Sequence, residues 1–154
     1  MSCYYLDTSA LVKRYVDEAG SDWFRATISD GHVPLLFTSR VTIVEMVSAF
    51  ARRMREGALA AEELAIARDA LRSDFLGKYR IMPPSIAILE QACAPLEQHP
   101  LRAFDATHLA SALEAQRFLT TGGYPPLTLL SADERLNRAA DAEGLAVDKP
   151  NDHP

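Results

Sequence analysis

Short apolar runs alternate with helical patterns along the whole chain, and this alternation restricts the fold more than any other feature. Strands are predicted over 3–6, 33–37, 79–82 and 127–130, with a fifth over 145–147. Their apolar character is continuous, as in strands buried on both faces. Helical periodicity fills the intervals over 9–18, 22–29, 40–55, 60–76, 86–97, 101–118 and 133–143. Ser21 and Ser39 stand where helix N-caps are expected, Gly31 and Pro34 lead into the second strand, and "TTGGYPP" reads as a loop. Strands separated by helices imply right-handed crossovers and a mostly parallel sheet covered on both faces. In such a sheet the binding crevice lies beyond the carboxyl ends of the strands, at a topological switch point.

The 154 residues suit one domain over 3–148, followed by a polar tail, 149–154, expected to fray. No apolar run is long enough to span a bilayer, and the first residues do not resemble a secretory signal, so a cytoplasmic protein with no membrane partner is expected. Cys3 and Cys93 have no ligand spacing and read as small buried hydrophobes. The net charge of −5 does not advertise nucleic-acid binding, although bound cations can reverse a local field.

Four acids occupy surroundings too apolar for a solvated face. Asp7 ends "CYYL", Glu45 is the only charge in "VTIVEMVSAFA", Asp105 lies in "LRAFDATHLASAL", and Asp133 follows "LTLLS". Asp7 and Asp133 both follow predicted strands, at the edge where the crevice should be. Burial of an ionised carboxylate is costly without a donor, cation or proton. Each acid also has a purely structural explanation. Asp7 could cap a helix, Asp133 could belong to a Ser131–Glu134 capping box, and Asp105 could pair with Arg102. Glu45 has the weakest such explanation, because Arg52 and Arg53 are two turns away. A shared divalent cation supplies one cause for all four, since Mg²⁺ and Mn²⁺ prefer hard oxygen ligands.

The ordered set "YLDTSALVK", "TSRVTIVEMVSAFARR", "RAFDATHLASA" and "LLSADERLNRAA" resembles PIN-domain ribonucleases, in particular VapC-type toxins of prokaryotic toxin–antitoxin pairs. The resemblance runs from Tyr4 to about Val147. It implies a three-layer α/β/α fold with a central, mostly parallel sheet of four to five strands. It also implies Mg²⁺- or Mn²⁺-dependent cleavage of single-stranded or looped RNA, leaving 5′-phosphate and 3′-hydroxyl ends. Carried over by residue, the acidic centre is Asp7, Glu45, Asp105 and Asp133. Asp7 and Asp105 are the favoured direct ligands, while Glu45 and Asp133 act directly or through water. Ser9 and Ser131 support the site. A cognate VapB-like antitoxin and homodimerisation are the partners it implies, with the hairpin over 40–76 as the antitoxin groove.

His108 follows Asp105 at three residues but reads as a packed, hydrogen-bonded histidine, because imidazole is not the preferred ligand of a Mg²⁺-type site. Arg52 and Arg53, with Lys13, are the candidate contacts to RNA phosphates or an acidic partner; a solvated helix end is the alternative. Two other functions compete. An aspartyl-phosphate phosphatase or phosphotransfer domain would use Asp7 as nucleophile, but Ser9 stands where a second Asp is usual. A catalytically silent PIN-like module would bind RNA or protein without cutting.

Overall fold

Alternation of side chains along the strands builds two apolar faces, and helices cover both. The computed structural model describes residues 1–29 and 34–154. Strands β1 (Cys3–Leu6), β2 (Leu35–Ser39), β3 (Arg80–Met82), β4 (Leu127–Leu130) and β5 (Ala146–Asp148) form one sheet in the order β3-β2-β1-β4-β5. Every neighbouring pair is parallel. The second strand was expected from Val33; Val33, with Gly31 and His32, lies outside the described residues.

Leu6, Leu36 and Leu130 point to one face. There they meet α1 (Thr8–Leu11), α2 (Ser21–Ser29), α3 (Thr42–Arg55) and α4 (Ala61–Gly77) through Leu11, Phe24, Met46, Phe50 and Leu71. Cys3, Tyr5, Phe37, Leu127 and Leu129 point to the other face, as the two-residue strand period requires. They pack against α6 (Ala103–Thr121) and α7 (Glu134–Ala142). Helix α5 (Ile86–Gln98) lies outside α6, where Ile88 and Ala92 meet Ala106 and Ala110. This is the three-layer α/β/α arrangement.

The strand order positions the site. The chain passes from β1 outward to β2 and β3, then returns to the opposite side of β1 for β4 and β5. The reversal falls between β1 and β4, so the crevice should open beyond Leu6 and Leu130.

Several local expectations are corrected. The helix expected over 9–18 ends at Leu11 and continues only as a 3₁₀ turn, Val12–Arg14. Side-chain bonds to the backbone then take the chain elsewhere. The Glu18 amide donates to Ser21 Oγ at 3.0 Å, the Ser21 hydroxyl donates to the Val16 carbonyl at 3.1 Å, and Lys13 Nζ donates to the Ala19 carbonyl at 2.7 Å. Ser21 thus closes the turn before α2 instead of capping it. Helix α3 begins at Thr42, not Arg40, and Ser39 remains the last residue of β2. Cys93 is exposed, because α5 buries only the stripe Ile88, Ala92 and Pro95.

The tail is not frayed. Pro150–Asp152 forms a 3₁₀ turn with Pro150 buried, and the His153 ring stacks on Trp23 at 4.0 Å. His153 Nε2 lies 2.9 Å from Asp148 Oδ1, and Lys149 pairs with Glu134. This seat requires glycine at position 20. Gly20 has φ +80°, and a Cβ there would lie 2.2 Å from the Pro150 carbonyl oxygen. Gly20→Ala should therefore cost on the order of 1–3 kcal/mol in chemical denaturation and loosen the tail against proteolysis. Wild-type stability in this variant would contradict the packing.

Candidate active site

The sheet's hydrogen-bond ladder runs up to Asp7. Its amide donates to the Leu130 carbonyl at 3.1 Å, so the residue is fixed between the ends of β1 and β4. Its carboxylate caps α1 by accepting the Ser9 amide at 3.2 Å. The same oxygen, Oδ2, accepts the Ser9 hydroxyl at 2.6 Å and the Ser131 hydroxyl at 3.1 Å. The hydroxyls also take amides from the loop after β4: Ser9 Oγ accepts from Ala132 at 2.9 Å and Ser131 Oγ from Asp133 at 3.0 Å. Asp7 is only 5% exposed. It is both a helix cap and part of a network that joins the two central strands.

Asp133 caps α7 itself, since Oδ1 accepts the amides of Arg135 at 2.8 Å and Leu136 at 3.1 Å. The expected Ser131–Glu134 capping box is therefore absent, and Ser131 is committed to Asp7 and Asp133. Asp105 lies in the first turn of α6, where Oδ2 accepts the Arg102 backbone amide at 3.0 Å. This backbone contact, and not a side-chain ion pair, is what joins Asp105 to Arg102. Glu45 lies in the first turn of α3. Its Oε1 accepts the Thr8 hydroxyl at 3.0 Å and His108 Nε2–H at 2.6 Å.

Asp7, Glu45, Asp105 and Asp133 thus come from four separate elements, and all four line one cleft of about 600 Å³. Ser9 lines it too, while Ser131 is buried behind Asp7. The acids share one electrostatic field. Partial burial raises the Asp105 carboxyl above its ordinary value; the Arg102 amide opposes this, and the charges of Asp133 and Asp7 add to it.

His108 was expected to be packed and hydrogen-bonded, and it is, but its partners belong to the cleft. The ring is fully buried, with Nδ1 2.9 Å from Tyr5 Oη and Nε2 against Glu45. Asp7 Oδ1 lies 3.5 Å from Nε2. Burial alone would lower its pKa, yet Asp7, Glu45 and Asp105 together outweigh that and raise it. Thr8 and His108 hold Glu45, a connection the sequence reading did not make. Thr8 could have been suspected from its place beside Asp7, whereas the Glu45–His108 contact joins positions far apart in sequence.

The basic candidates differ among themselves. Lys13, Arg52 and Arg53 all line the cleft. Lys13 is buried, and Glu18 binds it at 3.0 Å and Arg53 at 2.6 Å. The ammonium of Lys13, a candidate contact to RNA phosphates or an acidic partner, is engaged by Glu18 and the Ala19 carbonyl. Arg52 is exposed. Burial would raise the Glu18 carboxyl, but hydrogen bonds from Arg53 and Lys13 outweigh it and hold the group below its ordinary value. A depressed folded-state pKa contributes stability that is present above the unfolded carboxylate pKa of 4.5 and lost as pH falls through the folded value. Glu18→Gln should flatten the acid limb of a stability-against-pH curve, and an unchanged limb would contradict the network.

Among the described residues, no group of three or more His, Cys, Asp or Glu forms a ready-made metal cluster. The donor set nonetheless fits a hard divalent ion. Four carboxylates line the cleft, and an ion of the Mg²⁺ type needs only one or two direct protein ligands.

Comparison with known proteins agrees with this geometry. The PIN domain family model matches residues 4–142. Ribonuclease VapC35 of Mycobacterium tuberculosis is 33% identical over 147 residues, covering 95% of this chain and 96% of its own. The structure of FitAcB from Neisseria gonorrhoeae superposes with a TM-score of 0.65 at 17% identity, covering 96% of this chain and 97% of the other. VapBC2 from Rickettsia felis, solved bound to a DNA fragment from the promoter of the pair, superposes at 0.61 with 14% identity, covering 96% and 98%. A shared fold, a family match across most of the chain and a relative at one-third identity lead to one assignment: this chain belongs to the PIN-domain family.

Proposed function

We propose that this protein is a metal-dependent endoribonuclease and the toxin component of a toxin–antitoxin pair. One observation carries the reading: four carboxylates from four elements line a single cleft at the switch point of a parallel sheet. The relationship to ribonuclease VapC35 over nearly the full length supports RNA as the substrate. The match to a VapBC pair supports an antitoxin partner.

Asp7 and Asp105 would hold Mg²⁺ or Mn²⁺ directly, with Glu45 and Asp133 bound directly or through water. Such an ion supplies Lewis acidity and the positive charge that lets an acidic cleft accept a phosphodiester. The chain's own groups do the rest. Ser9 and Ser131 fix the Asp7 carboxylate in one orientation. Thr8 and His108 do the same for Glu45, and His108 offsets part of the acids' negative charge. Arg52 supplies a cation for a flanking phosphate. The protein acts as a homodimer or within a larger toxin–antitoxin assembly.

The test is cleavage of RNA by purified protein with Mg²⁺ or Mn²⁺, with and without chelator. The expected products carry 5′-phosphate and 3′-hydroxyl ends, and Asp105→Asn should lose the activity. A trapped phosphoaspartate at Asp7 without RNA cleavage would overturn the proposal.

A further inference from the structure

We propose that Phe104 is a stacking platform for an unpaired base beside the scissile phosphate; this rests on the ribonuclease reading above. Phe104 immediately precedes Asp105 in the first turn of α6, yet it is 48% exposed and lines the acid cleft. Helix α6 spends its apolar surface elsewhere, burying Ala106, Leu109, Ala110 and Ala112 against the sheet and α5. The ring therefore serves no core. Its position is set, because the Asp105 carboxylate accepts the Arg102 amide at 3.0 Å and locks the turn that carries Phe104. The ring thus stands on an ordered helical turn next to the Asp105 carboxylate.

The surrounding charges select the occupant. Arg102 flanks the ring, Arg52 lines the same cleft from α3, and both are exposed. Arg53, by contrast, is already held by Glu18. Exposed guanidinium groups beside an exposed aromatic face match a nucleic-acid strand, with phosphates on arginine and a base on the ring. Exposed Val44 extends the apolar lining of the cleft. A base in a duplex is already paired and stacked on its neighbours, so an exposed ring favours unpaired nucleotides.

The test has a kinetic arm and a binding arm. In RNA cleavage, Phe104→Ala should raise KM roughly 5- to 100-fold with a smaller change in kcat, the range seen when a stacking side chain is removed. Phe104→Leu should lose as much, since it keeps apolar volume but has no π face. Phe104→Tyr and Phe104→Trp should remain near wild type. With Mg²⁺ present, on an Asp7→Asn background that does not cut, the new indole of Phe104→Trp should be quenched by single-stranded oligoadenylate, less by oligouridylate, and not by duplex RNA. Trp23, the only native tryptophan, is the internal control. Unchanged KM in Phe104→Ala would overturn the inference and assign the ring to a protein-binding surface; so would full activity in Phe104→Leu. If the wild type cuts no RNA under any condition, the ribonuclease reading fails separately, and the fluorescence arm still decides whether a base meets the ring.

Discussion

Asp7→Asn should abolish RNA cleavage while leaving the fold intact. Three hydrogen bonds converge on Asp7 Oδ2, and Asn presents an amide oxygen that can accept them while Oδ1 becomes the amide nitrogen. Asn is also as good an N-cap as Asp, so α1 should keep its first turn. What disappears is a negative charge at the centre of the cleft. Loss of one ligand charge weakens cation binding and removes several kcal/mol of electrostatic stabilisation, so kcat/KM should fall by about 10²–10³-fold or more. Thermal unfolding without added metal should be nearly unchanged, or shifted slightly upward, because one of several mutually repelling acids is gone. A folded Asp7→Asn protein with wild-type activity would remove Asp7 from the mechanism.

His108→Leu should damage stability and activity together. Leucine approximates the volume of imidazole but offers no hydrogen bond. Tyr5 Oη and Glu45 Oε1 each lose a partner, and Glu45 also loses the group that balances its charge. The buried Tyr5 hydroxyl loses its partner while the half-buried Glu45 keeps only Thr8, so a loss of roughly 1–3 kcal/mol is expected in urea unfolding. Activity should fall a further ~10–100-fold beyond any loss of folded protein, as when a group that orients a ligand is removed. His108→Gln can keep one of the two contacts and should fall between wild type and His108→Leu. A His108→Leu protein as stable and active as the wild type would reduce the residue to filler.

The legible parts of this molecule were those in which one segment carries its own signal. The four acids could be singled out because each interrupts a local apolar pattern, and the strands because they are continuously apolar. What could not be read came from contacts between distant segments. Nothing near Glu45 in sequence announces His108 as its partner, and nothing near Tyr5 does either. Ser131 and Glu134 match a capping box, but Asp133 is the better cap, and Ser131 is drawn to Asp7 across the sheet. The tail is polar and short, so it reads as frayed; its order depends on the space left by Gly20 and on the Trp23 ring. Lys13 lies close to the first acidic motif and read as a phosphate contact, until the turn after it brought Glu18 onto its ammonium.

If the four carboxylates make one cation-binding site for RNA cleavage, cation binding and cleavage must rise and fall together. Isothermal titration of the purified protein with Mn²⁺ tests it most directly, comparing wild type with Asp7→Asn and Asp105→Asn. Saturable binding to the wild type is expected, greatly weakened in both variants, with RNA cleavage appearing over the same Mn²⁺ range and vanishing in chelator. Absence of Mn²⁺ and Mg²⁺ binding to the wild type, or RNA cleavage undiminished in chelator, would contradict it.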